Sequence, residues 1–154
     1  MSTPAHDPAK PAVVVGVDGS DASKDALRWA AGYARLTGAS LKAVSVWHWP
    51  VSLVVALPVP EDFNPMEEAH QTLEAILKEV LGTDPGCVVT TQVVGGAASA
   101  VLIEESRDAA LLVVGSRGHG GFTGLLLGSV SEHCTRYAAC PVVVVRHHGA
   151  HEAH

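Results

Sequence analysis

The stretch Ala12–Ser20, AVVVGVDGS, decides the fold. Its first six residues, Ala12 to Val17, contain no polar side chain. A strand with one face in water alternates apolar and polar residues, whereas a strand covered on both faces is apolar throughout. Ala12–Val17 therefore reads as a strand buried on both faces, ending in the turn residues Asp18, Gly19 and Ser20. Ser20 or Asp21 can cap the helix that follows. Ala22, Ala26, Trp29, Ala30 and Tyr33 then recur at helical spacing until Gly38 stops the helix.

The same alternation continues along the chain. SLKAVSVWHW, from Ser40, is a second β-rich run. Asn64 as cap, Pro65 in the first turn and Glu67 placed for a capping box start a second helix. Met66, Ala69, Leu73, Ile76, Leu77 and Val80 form its expected buried stripe. CVVTTQVVGG, from Cys87, is a third strand, and AASAVLIEESRDA, from Ala97, is a helix with Ala97, Val101 and Ile103 among its apolar positions. LLVVG, from Leu111, is a fourth strand. Val130, His133, Cys134 and Tyr137 mark a fourth helix, with His133 expected in the core. PVVVVR, from Pro141, is the fifth strand. Five apolar strands alternating with helices through short connections predict a mostly parallel sheet covered on both faces. In such sheets ligands bind beyond the carboxyl ends of the strands, where the chain order reverses.

Composition narrows the function. The 154 residues suit one domain, and 47% apolar with 17% charged residues suits an ordinary core. A net charge of -6 and the absence of a Lys/Arg cluster argue against nucleic acid. No apolar run reaches membrane-spanning length, and no hydrophobic signal region opens the chain, so a cytoplasmic location is expected. Cys87, Cys134 and Cys140 show neither disulfide-framework nor metal-ligand spacing and read as small buried apolar residues. Residues 1–11 and the His-rich 147–154 read as mobile tails around a domain at 12–146. The apolar, proline-broken stretch PVSLVVALPVPEDF, from Pro50, is expected to pack as a loop.

The fourth strand runs into VVGSRGHGGFTGLLLGSVS, Val113–Ser131, which holds six of the chain's 15 glycines. Glycine at this density costs backbone entropy. A glycine-rich turn opening a helix presents N–H groups to an anion. Gly115 and Gly118 allow close backbone approach, Gly128 clears the helix entry, and Ser129 and Ser131 add hydroxyls. A triphosphate is an anion of suitable size. The stretch is neither a P-loop, which needs a Lys after its last glycine, nor a dinucleotide fingerprint, which follows the first strand.

The spacing resembles the universal stress protein family, specifically its ATP-binding branch. That branch carries G-x2-G-x9-G-S/T, matched by Gly115, Gly118, Gly128 and Ser129. VVVGVDGS with Asp18, VVGGA after the third strand and CPVVVVR extend the likeness from about Ala12 to Arg146. The resemblance implies an open five-stranded parallel sheet of order 3-2-1-4-5, Rossmann-like, with a nucleotide across the gap between the first and fourth strands. The nucleotide-binding residues it implies are Val17, Asp18, Val46, Val94, Gly95, Val114, Gly115, Arg117, Gly118, Gly128, Ser129, Val130 and Ser131. Asp18 and Val46 would face base and ribose, Gly115, Arg117 and Gly118 ribose and phosphates, and Gly128 to Ser131 the phosphates. The implied ligand is ATP with Mg2+, and the implied partner is a second copy through strand 141–146, an edge with no protecting charge or bulge.

Each residue also has a local reading. Asp18 contacts the nucleotide or its metal, or bonds its own backbone in a turn. Arg117 pairs with phosphate or stays solvated. Ser129 binds phosphate, caps the helix, or does both. His119 lacks a nucleophile or aspartate partner and is no general base. Glu132 favours the helix N-terminus and is expected to point outward. The functional expectation is a nucleotide-dependent stress regulator with little or no catalysis. The alternatives are an ATP-using enzyme on a related fold, and a dimeric interaction module binding no nucleotide or cyclic AMP. A phosphoacceptor receiver would want an aspartate after the third strand, and a flavodoxin a hydroxyl-rich loop after the first.

Overall fold

Five short runs of β-branched and small residues pair side by side in a computed structural model that describes residues 11–47, 64–116 and 127–147. The elements, in chain order, are β1 (Ala12–Gly16), α1 (Asp21–Thr37), β2 (Leu41–Trp47), α2 (Pro65–Leu81), β3 (Val89–Gly95), α3 (Ala98–Glu105), a 3-10 turn (Ser106–Asp108), β4 (Ala109–Gly115), α4 (Ser129–Tyr137) and β5 (Val142–Val145). The strand order is β3-β2-β1-β4-β5, and every neighbouring pair is parallel. Both the class and the order expected from the sequence are found.

Alternation along the strands sorts side chains to two cores. Val13, Val15, Leu41, Ala43, Leu111 and Val113 meet α1 and α2 on one face. Val14, Val44, Leu112 and Val114 meet Leu102 of α3 and Cys134 of α4 on the other. β1 is apolar because both of its faces are covered. The outer strand β3 is not, and its Thr90 is exposed.

Local signals fix the helix ends. Ser20 caps α1, accepting from the Ser23 N–H at 3.2 Å. Gly38 ends it in the left-handed region at φ 76°, which glycine adopts without strain. Asn64 caps α2 through the Glu67 N–H at 3.2 Å, with Pro65 in the first turn. Ser106, fully buried, donates to the Ile103 carbonyl at 2.6 Å and accepts from the Ala139 N–H at 2.9 Å, which ties the 3-10 turn to the α4–β5 connection.

The helix faces differ from the expectation. α1 packs through Ala22, Ser23, Ala26, Leu27, Ala30, Ala31 and Ala34, and its large residues Trp29 and Tyr33 are 40% and 37% exposed. Small side chains let the helix lie close to the sheet, which leaves the two rings no room beneath it. Met66 of α2 is exposed, while Leu73 and Ile76 are buried. His133 is not a core histidine: it is exposed and lies against the exposed Tyr137 ring, 5.7 Å between centroids. Of the cysteines only Cys134 is buried, whereas Cys87 and Cys140 are half-buried. Residue 147, expected in a mobile tail, is held: His147 Nδ1 lies 2.6 Å from Asp25 Oδ2 in α1. The stretch 50–60 and the other tail histidines, His148, His151 and His154, lie outside the described residues. No helix among the described residues is long and apolar enough to cross a membrane.

Candidate functional site

β1 and β4 are neighbours, and from them the chain proceeds outward in opposite directions, β1 to β2 and β3, β4 to β5. Their carboxyl ends form the crevice where open parallel sheets place ligands. Val15 pairs with Val113, so Val17, the residue just past the end of β1, stands level with Gly115, the last residue of β4. Each strand leads into a chain segment that ends in a helix N-terminus, α1 after β1 and α4 after β4.

The β1–α1 junction is closed by its own side chains. Asp18 Oδ1 accepts from the Ser20 N–H at 2.9 Å and from the Ser20 hydroxyl, and the Asp18 N–H reaches Ser23 Oγ at 3.3 Å. Asp18 therefore makes the aspartate turn that was its local reading. Its side chain is exposed at the strand end.

The β4–α4 junction is built differently. Gly128 occupies the N-cap position, and no side chain caps α4. The Glu132 N–H is bonded to the Gly128 carbonyl at 2.9 Å, so the helical ladder begins there. The N–H groups of Ser129, Val130 and Ser131 precede that ladder and have no helical acceptor. With the helix dipole they make this end electropositive. Gly128 has φ −67° and ψ 164°, an extended conformation open to any residue, so its backbone does not demand glycine.

Ser131 is 2% exposed, and its hydroxyl donates to the carbonyls of Ser116 and Gly128, each at 3.0 Å. That hydroxyl is engaged with the loop base, and the residue's remaining offer to an anion is its N–H. Ser129 is exposed beside the Gly128 cap. Val130 is half-buried against the α3–α4 core. Glu132 points outward, as expected, and pairs with Arg136 at 3.2 Å.

Gly115 has a reason the loop reading missed. A Cβ there would stand 2.7 Å from the Ala22 carbonyl carbon and 2.9 Å from its oxygen. The first turn of α1 lies against the end of β4, and only glycine permits it. Val17 and Val114, each 3% exposed, offer the site backbone only. Val46 and Val94 pair across β2 and β3. Gly95 lies beneath the Trp47 indole, where a Cβ would meet ring carbons at 3.1 Å. Arg117, Gly118 and His119 lie outside the described residues. The structure thus brings Val17, Asp18, Gly115, Gly128 and Ser129–Ser131 to the β1–β4 crevice and sets Val94 and Gly95 two strands away from β1.

Ser116 was not singled out from the sequence. Its N–H donates to the Val145 carbonyl at 2.8 Å, and its carbonyl accepts from the Gly128 N–H at 2.8 Å as well as from Ser131. A serine between two motif glycines was the available signal, but the carbonyl does this work and the side chain gives no notice of it. Cys134 offers no nucleophile: burial pushes its thiol up to about 11. Among the described residues no three metal-ligating side chains come together.

Comparison with known proteins agrees with this arrangement. The model of the universal stress protein family matches residues 11–146. A universal stress protein of Mycolicibacterium smegmatis is 39% identical over 146 residues, covering 92% of this chain and 47% of that protein. The chain spans about half the length of the curated relatives it matches. A universal stress protein in complex with cAMP is 29% identical, with a TM-score of 0.64 over 89% of this chain and 97% of the other. UspA from Lactobacillus plantarum, at 22% identity, shares the fold with a TM-score of 0.68 over 88% of this chain and 97% of its own. A parallel β3-β2-β1-β4-β5 sheet, an uncapped helix at its switch point and a family match over nearly the whole chain place this protein in the universal stress protein family.

Proposed function

We propose that the protein binds ATP across the β1–β4 crevice and acts as a nucleotide-dependent regulator with little or no catalysis. The carrying observation is the α4 N-terminus, which has no side-chain cap at a strand end where the sequence matches G-x2-G-x9-G-S/T. The phosphates lie on the N–H groups of Ser129, Val130 and Ser131, with Gly115, Arg117 and Gly118 beside phosphates and ribose. Val17, Asp18 and Val46 line the ribose and base side, with Val94, Gly95 and Val114 flanking. The donor set fits an anion. Among the described residues it includes no cluster of metal-ligating side chains, and in this reading Mg2+ arrives with the triphosphate. The protein works in the cytoplasm as a homodimer whose β5 strands pair edge to edge, since β5 is a sheet edge of four consecutive valines.

A second reading, cyclic AMP, is favoured by the 29% identical family member in complex with that nucleotide. A single phosphate would use fewer of the α4 donors. The two are separated by identifying the nucleotide released from purified protein on heating and by calorimetry with MgATP and with cyclic AMP. Tighter binding of MgATP supports the triphosphate reading, tighter cyclic AMP replaces it with the second, and no binding of either ends both. Light scattering of Val144→Pro tests the edge, because proline removes a ladder donor there. A monomeric parent at micromolar concentration, or a variant that stays dimeric, overturns the β5 pairing.

A further inference from the structure

α1 carries an apolar ridge that no other described residue covers. Trp29, Tyr33 and Leu36 are 40%, 37% and 89% exposed, and the two rings stack at 5.4 Å with 12° between planes. Spaced by four and three residues, they lie on one flank of the helix. The opposite flank holds Lys24, which pairs with Glu79 of α2 at 3.1 Å. The ridge flank holds Asp25, which meets His147 just beyond β5 at 2.6 Å. α1 sits over β4, with β1 and β5 to either side. The ridge therefore overhangs the β5 edge.

We infer that this ridge is the second half of a self-pairing surface whose occupant is the same ridge of another copy. The inference rests on the β5 pairing proposed above. If two β5 strands pair antiparallel about a two-fold axis normal to the sheet, both α1 helices lie on the same face and run antiparallel. Their supporting β4 strands then stand three strand spacings apart, roughly 14 Å. Helices in direct contact pack at about 8–10 Å. Small side chains cannot close that gap, and large aromatic and aliphatic ones do.

The level along the helix also agrees. The middle of β5 lies between Val143 and Val144. From His147 back to that point is roughly 11–12 Å of extended chain. The same distance along α1 from Asp25 is about seven to eight residues, reaching Gly32 and Tyr33. Trp29 and Leu36 are equidistant in sequence from that level. The axis thus brings each Tyr33 near its own image and sets Trp29 against the other copy's Leu36, with Gly32 leaving room between. At the end of the ridge, Asp25 is paired with Arg28 at 2.7 Å and with His147, so the surface has a satisfied polar rim.

The test is the dimer dissociation constant of the full chain by sedimentation, with circular dichroism as the folding check. Leu36→Glu and Tyr33→Asp are each expected to weaken the dimer at least tenfold. Met66→Glu, an exposed apolar position on α2, is expected to leave it unchanged. Trp29→Lys combined with Leu36→Glu in one chain is expected to recover most of the loss, because the new charges meet across the axis. A dimer that Val144→Pro dissociates but Leu36→Glu and Tyr33→Asp leave untouched overturns the ridge while the β5 pairing stands. A dimer weakened by the ridge variants but not by Val144→Pro overturns the β5 pairing and with it this geometry. A monomeric parent overturns both, and ridge variants that weaken the dimer without rescue by the double change overturn the Trp29–Leu36 register.

Discussion

Two strand-to-helix junctions lie side by side at the carboxyl edge of the sheet, and they are finished in opposite ways. After β1, Asp18, Ser20 and Ser23 bond one another, and the Ser20 side chain caps α1 through the Ser23 N–H. After β4, Gly128 stands where a capping side chain belongs and α4 has none. Both helices start beside the same crevice, so the difference is not one of burial or of fold. A helix start closed by its own side chains contributes stability, and one left open keeps donors that an anion can use, as in the proposed function.

The most direct way to break this contrast is to close the open junction. Gly128→Asp installs both a cap and a negative charge. It is expected to hold or slightly raise stability in urea and to lower MgATP affinity by more than 100-fold, as measured by calorimetry. Unchanged affinity would remove the phosphates from α4. Gly115→Val strikes what the junctions share, the contact of β4 with Ala22. Forcing a branched side chain into a space where a Cβ already stands 2.7 Å from backbone is expected to cost about 3 kcal/mol of unfolding free energy. A loss below 1 kcal/mol would show that α1 can move away from the strand.

The smaller effects sharpen the contrast. Ser20→Ala removes the α1 cap and is expected to cost about 1 kcal/mol of stability. Ser129→Ala is expected to leave urea stability within about 0.5 kcal/mol of the parent, because its hydroxyl caps nothing. Its cost appears instead in MgATP affinity, roughly 0.5–1.5 kcal/mol, the net worth of one hydrogen bond. Equal stability losses for the two serines would mean that the junctions do not differ in kind.

Much of this was legible from residue types. Unbroken apolar runs gave the covered parallel sheet, and Ser20, Gly38, Asn64 and Pro65 marked helix ends because caps act on neighbours in sequence. The helix faces were less legible. Periodicity groups Trp29 and Tyr33 with Ala22 and Ala26 as apolar, yet only the alanines allow α1 to lie close against the strands. The role of Gly115 was hidden because its neighbour, Ala22, is distant in sequence. Ser116 was hidden because its backbone, not its side chain, carries the contacts. His133 was misplaced for a related reason: spacing reports a helical stripe, not the flank that the sheet covers.

The Ser116–Gly128 hydrogen bond, 2.8 Å long, has a consequence for how this chain can vary. The polypeptide leaves the sheet at Ser116 and is fastened to the same residue on its return, with the Ser131 hydroxyl as a second fastening. The excursion is a lasso with a closed neck. Its neck is anchored to β5 through Val145, so the strands do not register how many residues the lasso contains. Doubling the length of such a closed segment costs only about 0.6 kcal/mol in closure entropy. Residues can be added to the far side of the noose without disturbing the sheet, so the reach of the glycine-rich segment can change independently of the fold that carries it.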